Sequence, residues 1–360
     1  MKSNKKKILI KRFIITLILF MSNFLGATVF ADDNMKLNEF YISENNYESD
    51  MKNKVEPYIK SLEESGTIKG QEDKELYYKK FILKDSKGSV VISHGFTEYI
   101  ERYNEMIYYF LNEGYNVFIM EHRGHGRSGT LGKEDVTQID VENFNYYILD
   151  FKKFIDEIVL PANNNKKLFL FAHSMGGGIG AKFIENYPEY FDSAILSSPM
   201  LEIHTGEYQS GIAKIIANIA YNFGFGDKYV FGEEKFNSAY GLDGSGTSSK
   251  NRYDYNYNIL MGNEQLQRGG ASFRWLYNSF KATNKIIDKE NASKVKIPVL
   301  LFQSENDTYV KPKGQNQFAK YAQNCELISV AGAKHEIYRE KDEIQKPYLE
   351  KVIDFYNKNI

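Results

Sequence analysis

Ser174 stands among small residues in Ala172-His173-Ser174-Met175-Gly176-Gly177-Gly178, after an apolar run at residues 168–172 and before a helical pattern. A serine held on such a strand-to-helix turn exposes its oxygen and turns the next backbone N–H toward the group it attacks. Small residues two before and two after it let neighbouring backbone pass close. Glycine usually fills both places; here they hold Ala172 and Gly176. A hydroxyl is a poor nucleophile near neutral pH, so it needs a base, and the base needs a group to orient it. The expected order is serine, acid, histidine, the last two in loops that follow strands. His335 lies just beyond an apolar run ending at Val330, and Asp307 just beyond one ending at Phe302. Glu305 and Glu202 are the other carboxylates that could serve as the acid. His94, His122 and His125 precede the serine, His173 adjoins it with its side chain expected to turn away, and His204 opens a later insertion. His94, beside Gly95, reads as fixing a loop.

Acyl transfer also needs donors for the oxyanion. The N–H of Met175, at the start of the helix, is one, favoured by the helix dipole. The N–H of Phe96, in the loop after the first parallel strand, is the other. A backbone donor makes the side chain at that place of little consequence to the chemistry.

These residues need a scaffold that presents strand ends side by side, and the pattern of the chain supplies one. A helix is expected at 55–64 and a strand at 75–83, returned through Asp85-Ser86-Lys87-Gly88 as a hairpin into 89–92. Apolar runs at 116–120, 168–172 and 194–196 then alternate with helical patterns at 102–112, 141–159 and beyond the serine to 186. Fully apolar runs between helices indicate parallel strands buried on both faces, an open α/β sheet with its ligand at the carboxyl ends of the strands. The alternation stops over 201–283, rich in Tyr, Phe, Asn and Gly, which reads as an inserted cap carrying the only tryptophan, Trp275. It resumes with runs at 299–302 and 326–330 and helices at 314–322 and 341–356. The division expected is therefore 1–31 leader, 32–54 tail, 55–200 first part of the core, 201–283 cap and 284–360 second part of the core.

A length of 360 residues, with 42% hydrophobic and 15% aromatic residues, is that of a large folded domain and excludes a disordered chain. Six basic residues before an uncharged run at 13–30, closed by Val29-Phe30-Ala31, read as a secretory signal peptide, with an uncleaved membrane anchor as the alternative. Both put the body of the protein outside the cytoplasm, secreted or at the cell surface. Without residues 1–31 the chain has 40 basic against 47 acidic residues, which argues against nucleic acid as a partner. The single cysteine, Cys325, excludes an internal disulfide and reads as a small packed residue. No Cys/His cluster has zinc spacing; no metal and no cofactor are expected, and no protein partner is implied.

The segments S-H-G-F-T-E-Y-I-E-R-Y (93–103), M-E-H-R-G-H-G-R-S-G (120–129), A-H-S-M-G-G-G (172–178), S-E-N-D-T-Y-V (304–310) and A-G-A-K-H-E (331–336) together resemble the lysophospholipase and monoacylglycerol lipase group of α/β-hydrolases. The resemblance runs from about residue 55 to the C-terminus. It includes T-S-S-K-N-R-Y (247–253) and G-G-A-S-F-R-W-L (269–276), which look like bacterial lysophospholipases. It implies an α/β-hydrolase fold with an inserted cap, Ser174 as nucleophile, Asp307 as acid, His335 as base, and Phe96 and Met175 as oxyanion donors. It further implies a serine hydrolase that cleaves carboxylic esters of lipid-like substrates. The motif at 121–129, shared with the group, reads as scaffold. A serine aminopeptidase or amidase of the same fold, and a non-catalytic exported binding protein, are the competing functions.

Overall fold

In a computed structural model the residues described are 37–206 and 208–360. The described residues fall into two units, one ending at Tyr41 and the other Ile42–Ile360. Within the first, residues 37–40 are helical. The expected leader lies outside the described residues.

The second unit is built on an eight-stranded sheet of order β1-β2-β4-β3-β5-β6-β7-β8: β1 Glu63–Lys69, β2 Glu75–Phe81, β3 Gly88–Ser93, β4 Tyr115–Met120, β5 Leu168–His173, β6 Ser193–Ser197, β7 Val299–Ser304 and β8 Cys325–Val330. From β4 to β8 every neighbouring pair is parallel; β1 with β2 and β2 with β4 are antiparallel. Every residue of β3, β4, β5 and β6 is buried, as helices on both faces require. The chain leaves β3 for β4 on one side and comes back to β5 on the other. The carboxyl ends of β3 and β5 therefore flank a crevice at the point where the strand order reverses.

The flanking helices are α1 Glu56–Leu62, α2 Asn104–Asn112, α3 Asn145–Phe154, α4 Ser174–Asn186, α8 Pro312–Tyr321 and α9 Asp342–Asn357; between β6 and β7 come α5 Ser210–Asn222, α6 Lys250–Met261 and α7 Phe273–Ile286. Helix α5 lies along α7, where Tyr221 stacks on Tyr277 with ring centroids 4.2 Å apart.

Three expectations need correction. Residues 42–54 are no tail: a short 3-10 helix at Glu44–Asn46 leads into continuous helical structure from Tyr47, and Tyr47, Met51, Val55 and Ile59 are all buried, four residues apart on one face. The expected helix at 55–64 also stops at Leu62, because the chain turns extended at Glu63 to pair with β2. Strands β2 and β3 form no hairpin, since β4 lies between them and pairs with each. The hairpin is β1–β2, joined through Glu72 and Asp73, both at positive φ.

Candidate active site

Strand β5 ends at His173 and α4 begins at Ser174, whose φ of +52° is unusual for a residue with a side chain. The surroundings hold this turn. A Cβ added to Gly176 would stand 2.1 Å from the Ser93 carbonyl oxygen, so the first turn of α4 lies directly on the end of β3. A Cβ on Gly180 would meet the Ala172 methyl at 3.0 Å. Ala172 thus replaces the usual glycine because Gly180, one turn and a half along, leaves room for it.

Asp307 stands in the loop after β7. Its Oδ1 accepts the N–H groups of Tyr309 at 2.8 Å and Val310 at 3.0 Å, and its Oδ2 lies 2.7 Å from Nδ1 of His335. His335 follows β8, and its Nε2 lies 2.7 Å from the Ser174 hydroxyl. Serine, histidine and aspartate form one hydrogen-bonded chain, with Ser174 7% and His335 6% exposed, enough to keep bulk water from competing for either bond. An ionised carboxylate can only accept, so Nδ1 carries the proton and Nε2 offers its lone pair to the serine. Burial raises the proton affinity of Asp307. The His335 hydrogen bond and charge, with the two N–H donors, outweigh it and hold the carboxyl below its ordinary value.

The other candidates are engaged elsewhere. Glu305 accepts the Gly332 N–H at 2.7 Å and braces the histidine loop, and it is Asp307 rather than Glu202 that meets His335. His94 accepts the His122 N–H at its Nε2 (2.9 Å), which leaves Nδ1 to donate to the Gly95 carbonyl at 2.8 Å. Burial pulls His94 down to about 4, a neutral loop-fixing imidazole. Arg123 pairs with buried Asp150 at 2.6 Å and Arg127 with Glu101 at 2.8 Å and with Glu121, so the 121–129 motif is scaffold. Cys325 is half-buried and its thiol is pushed up to about 12 by burial, which leaves little thiolate for attack.

Met175 is fully buried in the first turn of α4, where N–H groups have no intrahelical acceptor. Phe96 sits in the loop leaving β3, in which Thr97 is held at φ +59° and the Gly95 N–H donates to Glu98. That loop runs beside the serine turn: a Cβ on Gly95 would lie 3.0 Å from the His173 ring. Met175 thus directly follows Ser174, and the loop that carries Phe96 passes beside His173, the residue before it.

Glu98 and His173 had not been singled out by spacing. Glu98 is buried and accepts from Tyr103 at 2.5 Å, from Tyr338 at 3.0 Å and from the His173 ring at 3.1 Å. Burial disfavours an imidazolium at His173, yet the neighbouring carboxylate raises its proton affinity above the ordinary value. Burial also opposes the charge on Glu98, which His173 and Arg102 nonetheless hold well below the usual carboxylate range. The two ring nitrogens of His173 face Glu98 and the histidine loop: its Nε2 lies 3.3 Å from the His335 carbonyl and ties that loop to the serine turn. An acidic residue four before Arg102 and five before Tyr103 gave no hint of this contact, which joins loops distant in sequence.

The sheet order, the strained serine after β5 and the acid and histidine after β7 and β8 define an α/β-hydrolase. The sequence profile of the family described as "Serine aminopeptidase, S33" matches residues 84–342, and the chain belongs to that family. It is similar to the probable lysophospholipase L2 of Haemophilus influenzae, 27% identical over 295 residues that cover 81% of this chain and 91% of that one. It is 29% identical over 304 residues to lysophospholipase L2 of Escherichia coli K12, covering 81% and 86%. Among solved structures, a soluble variant of monoglyceride lipase from Saccharomyces cerevisiae superposes with a TM-score of 0.62 at 22% identity over 82% of this chain and 94% of that one.

Proposed function

We propose that this chain hydrolyses carboxylic esters of lipid-like substrates, lysophospholipids or monoacylglycerols, through an acyl-enzyme on Ser174. The observation that carries the reading is the pair of 2.7 Å hydrogen bonds linking Asp307, His335 and Ser174. As Oγ of Ser174 attacks the ester carbonyl, Nε2 of His335 takes its proton, and Asp307 stabilises the imidazolium. The negative oxygen is met by the N–H groups of Met175 and Phe96. His335 then gives its proton to the departing alcohol oxygen, and a water, deprotonated in turn by His335, releases the fatty acid.

The lysophospholipase and lipase names of the relatives support the lipid class. So does the outer face of α5, where Ile212, Ile215 and Ile219, the last two 60% and 51% exposed, form a stripe continued by exposed Phe223 and Phe225. An apolar face of this kind suits a lipid aggregate and gains nothing from water. The basic, then apolar, leader at 1–31 supports export of the chain, secreted if cleaved after Ala31 and held at the cell surface if left in place.

The family's description favours a second reading, cleavage of aminoacyl amides. A panel of monoacylglycerols, lysophospholipids and aminoacyl amides, run with the wild type and with Ser174→Ala, separates the two. The ester reading expects turnover of at least one lipid ester and its loss in the variant; turnover confined to amides would replace it.

A further inference from the structure

We infer that the segment inserted between β6 and β7 positions the catalytic base: residues 243–252 hold the loop 334–340 in place, and buried Glu340 is the positioning residue that joins them. The inference rests on the catalytic role proposed for His335.

The loop that carries His335 has no regular structure between the end of β8 at Val330 and a short helical turn at Ile337–Arg339. Its first half is held by the core: the Asn306 N–H donates to the Ala333 carbonyl at 2.9 Å, and Glu305 takes the Gly332 N–H. Its second half is held from the insertion. The Glu336 N–H donates to the Gly246 carbonyl at 2.7 Å, and the Thr247 hydroxyl to the Arg339 carbonyl at 2.6 Å. The approach at Gly246 is close, since a Cβ there would lie 2.9 Å from the Glu336 side chain.

Glu340 closes the arrangement. Its carboxylate is fully buried and accepts the Lys334 N–H at 2.8 Å through one oxygen and the Ser248 N–H at 3.0 Å through the other. One side chain thus ties the residue immediately before His335 to the insertion. Arg252 at the start of α6 completes the fastening: its Nη1 donates to the Glu340 carbonyl at 2.9 Å, and its own carbonyl accepts from Arg339 at 2.9 Å. Beside the imidazole, the Tyr309 ring packs 4.9 Å from the His335 ring while its hydroxyl donates to the Gly244 carbonyl at 3.0 Å.

A general base works only within hydrogen-bond reach of its proton, and a displacement of about 1 Å can cost about a hundredfold in rate. Glu340 touches neither the serine nor a substrate. Its action runs through the backbone on either side of His335.

The test compares wild type with Glu340→Gln and, because a buried carboxylate can matter to folding, with the milder Thr247→Val. Three quantities are read: kcat and KM on a soluble 4-nitrophenyl ester, the rate of labelling by a fluorophosphonate, and the low-field proton resonance of the His335 Nδ1–H. In Glu340→Gln an amide nitrogen must face at least one N–H donor, so the loop loosens. The expected result is a fall in kcat and in labelling rate of about tenfold or more, KM within about twofold, and a low-field proton that broadens or is lost, with Thr247→Val changed in the same sense. Variants that keep kcat and the low-field proton, whatever their Tm, overturn the inference, as does a change confined to KM. A wild type that turns over no ester defeats the catalytic reading instead, while the low-field proton still reports whether Glu340 holds the His335–Asp307 bond.

Discussion

Asp307 uses both carboxylate oxygens, one on His335 and one on two backbone N–H groups, so its orientation is fixed before any substrate arrives. Asp307→Asn keeps the shape but offers His335 an amide, and the imidazole proton then favours the wrong nitrogen. We expect kcat to fall by roughly 10⁴-fold with Tm little changed, checked by steady-state kinetics beside thermal melting. Glu185, near the end of α4, is a different sort of buried carboxyl. Burial pushes it up to about 8 although Lys182 stands 3.4 Å away and opposes the shift. The folded state therefore holds a proton that the unfolded state releases above the ordinary carboxylate value. Stability falls as pH rises from about 4.5 to about 8, and is independent of this group below that window. Glu185→Gln, neutral at every pH, should raise Tm by a few degrees at pH ~8 and leave it nearly unchanged near pH 4; equal shifts at both would refute the assignment. Ser174, Asp307 and His335, which the structure joins by hydrogen bonds, could be picked out at this scale because each follows an apolar run. Glu98 and His173 could not, since their value lies in a contact between the loops after β3 and β5.

At the scale of elements, the serine turn depends on how closely α4 lies on β3. Gly176→Ala would drive a methyl to 2.1 Å from the Ser93 oxygen and 2.4 Å from that of His94, with backbone on both sides unable to yield. We expect loss of soluble folded protein, or of activity if it folds. Gly211→Ala, in α5 with no atom within 4 Å of the added carbon, should instead stabilise by about 0.5–1 kcal/mol, both variants being followed by thermal melting. The parallel strands could be read from sequence because burial on both faces makes them continuous apolar runs. Strand β1 could not: Glu63, Glu64, Ser65, Gly66, Thr67, Ile68 and Lys69 contain one buried side chain, Ile68, and the strand exists through its pairing with β2 at the sheet's edge. The hairpin expected between β2 and β3 failed for a related cause, because local turn residues say nothing about a later strand that inserts between two earlier ones. The helical run from Tyr47 was visible in principle as apolar residues at every fourth position, obscured by the polar residues between them.

For the molecule as a whole, the core is split in sequence around the insertion between β6 and β7. The stripe of Ile212, Ile215 and Ile219 stays exposed while Ala217 and Ala220 face inward, so α5 shows an apolar side to solvent. If that side meets a lipid aggregate, Ile215→Glu should lower turnover of micellar or vesicle-borne monoacylglycerol at least several-fold while leaving a soluble short-chain ester unaffected. Equal effects on both substrates would contradict the role. Charge argued only against nucleic acid and the lipid class came from the resemblance, whereas the position of the apolar stripe could be found only once α5 was seen to lie along α7. The central claim, an acyl-enzyme on Ser174, is tested most directly by treating the wild-type chain with a fluorophosphonate and mapping the adduct by peptide mass spectrometry. The account predicts one adduct, on Ser174, in step with loss of monoacylglycerol or lysophospholipid hydrolysis. Hydrolysis that persists without an adduct, or an adduct on another residue, would contradict it.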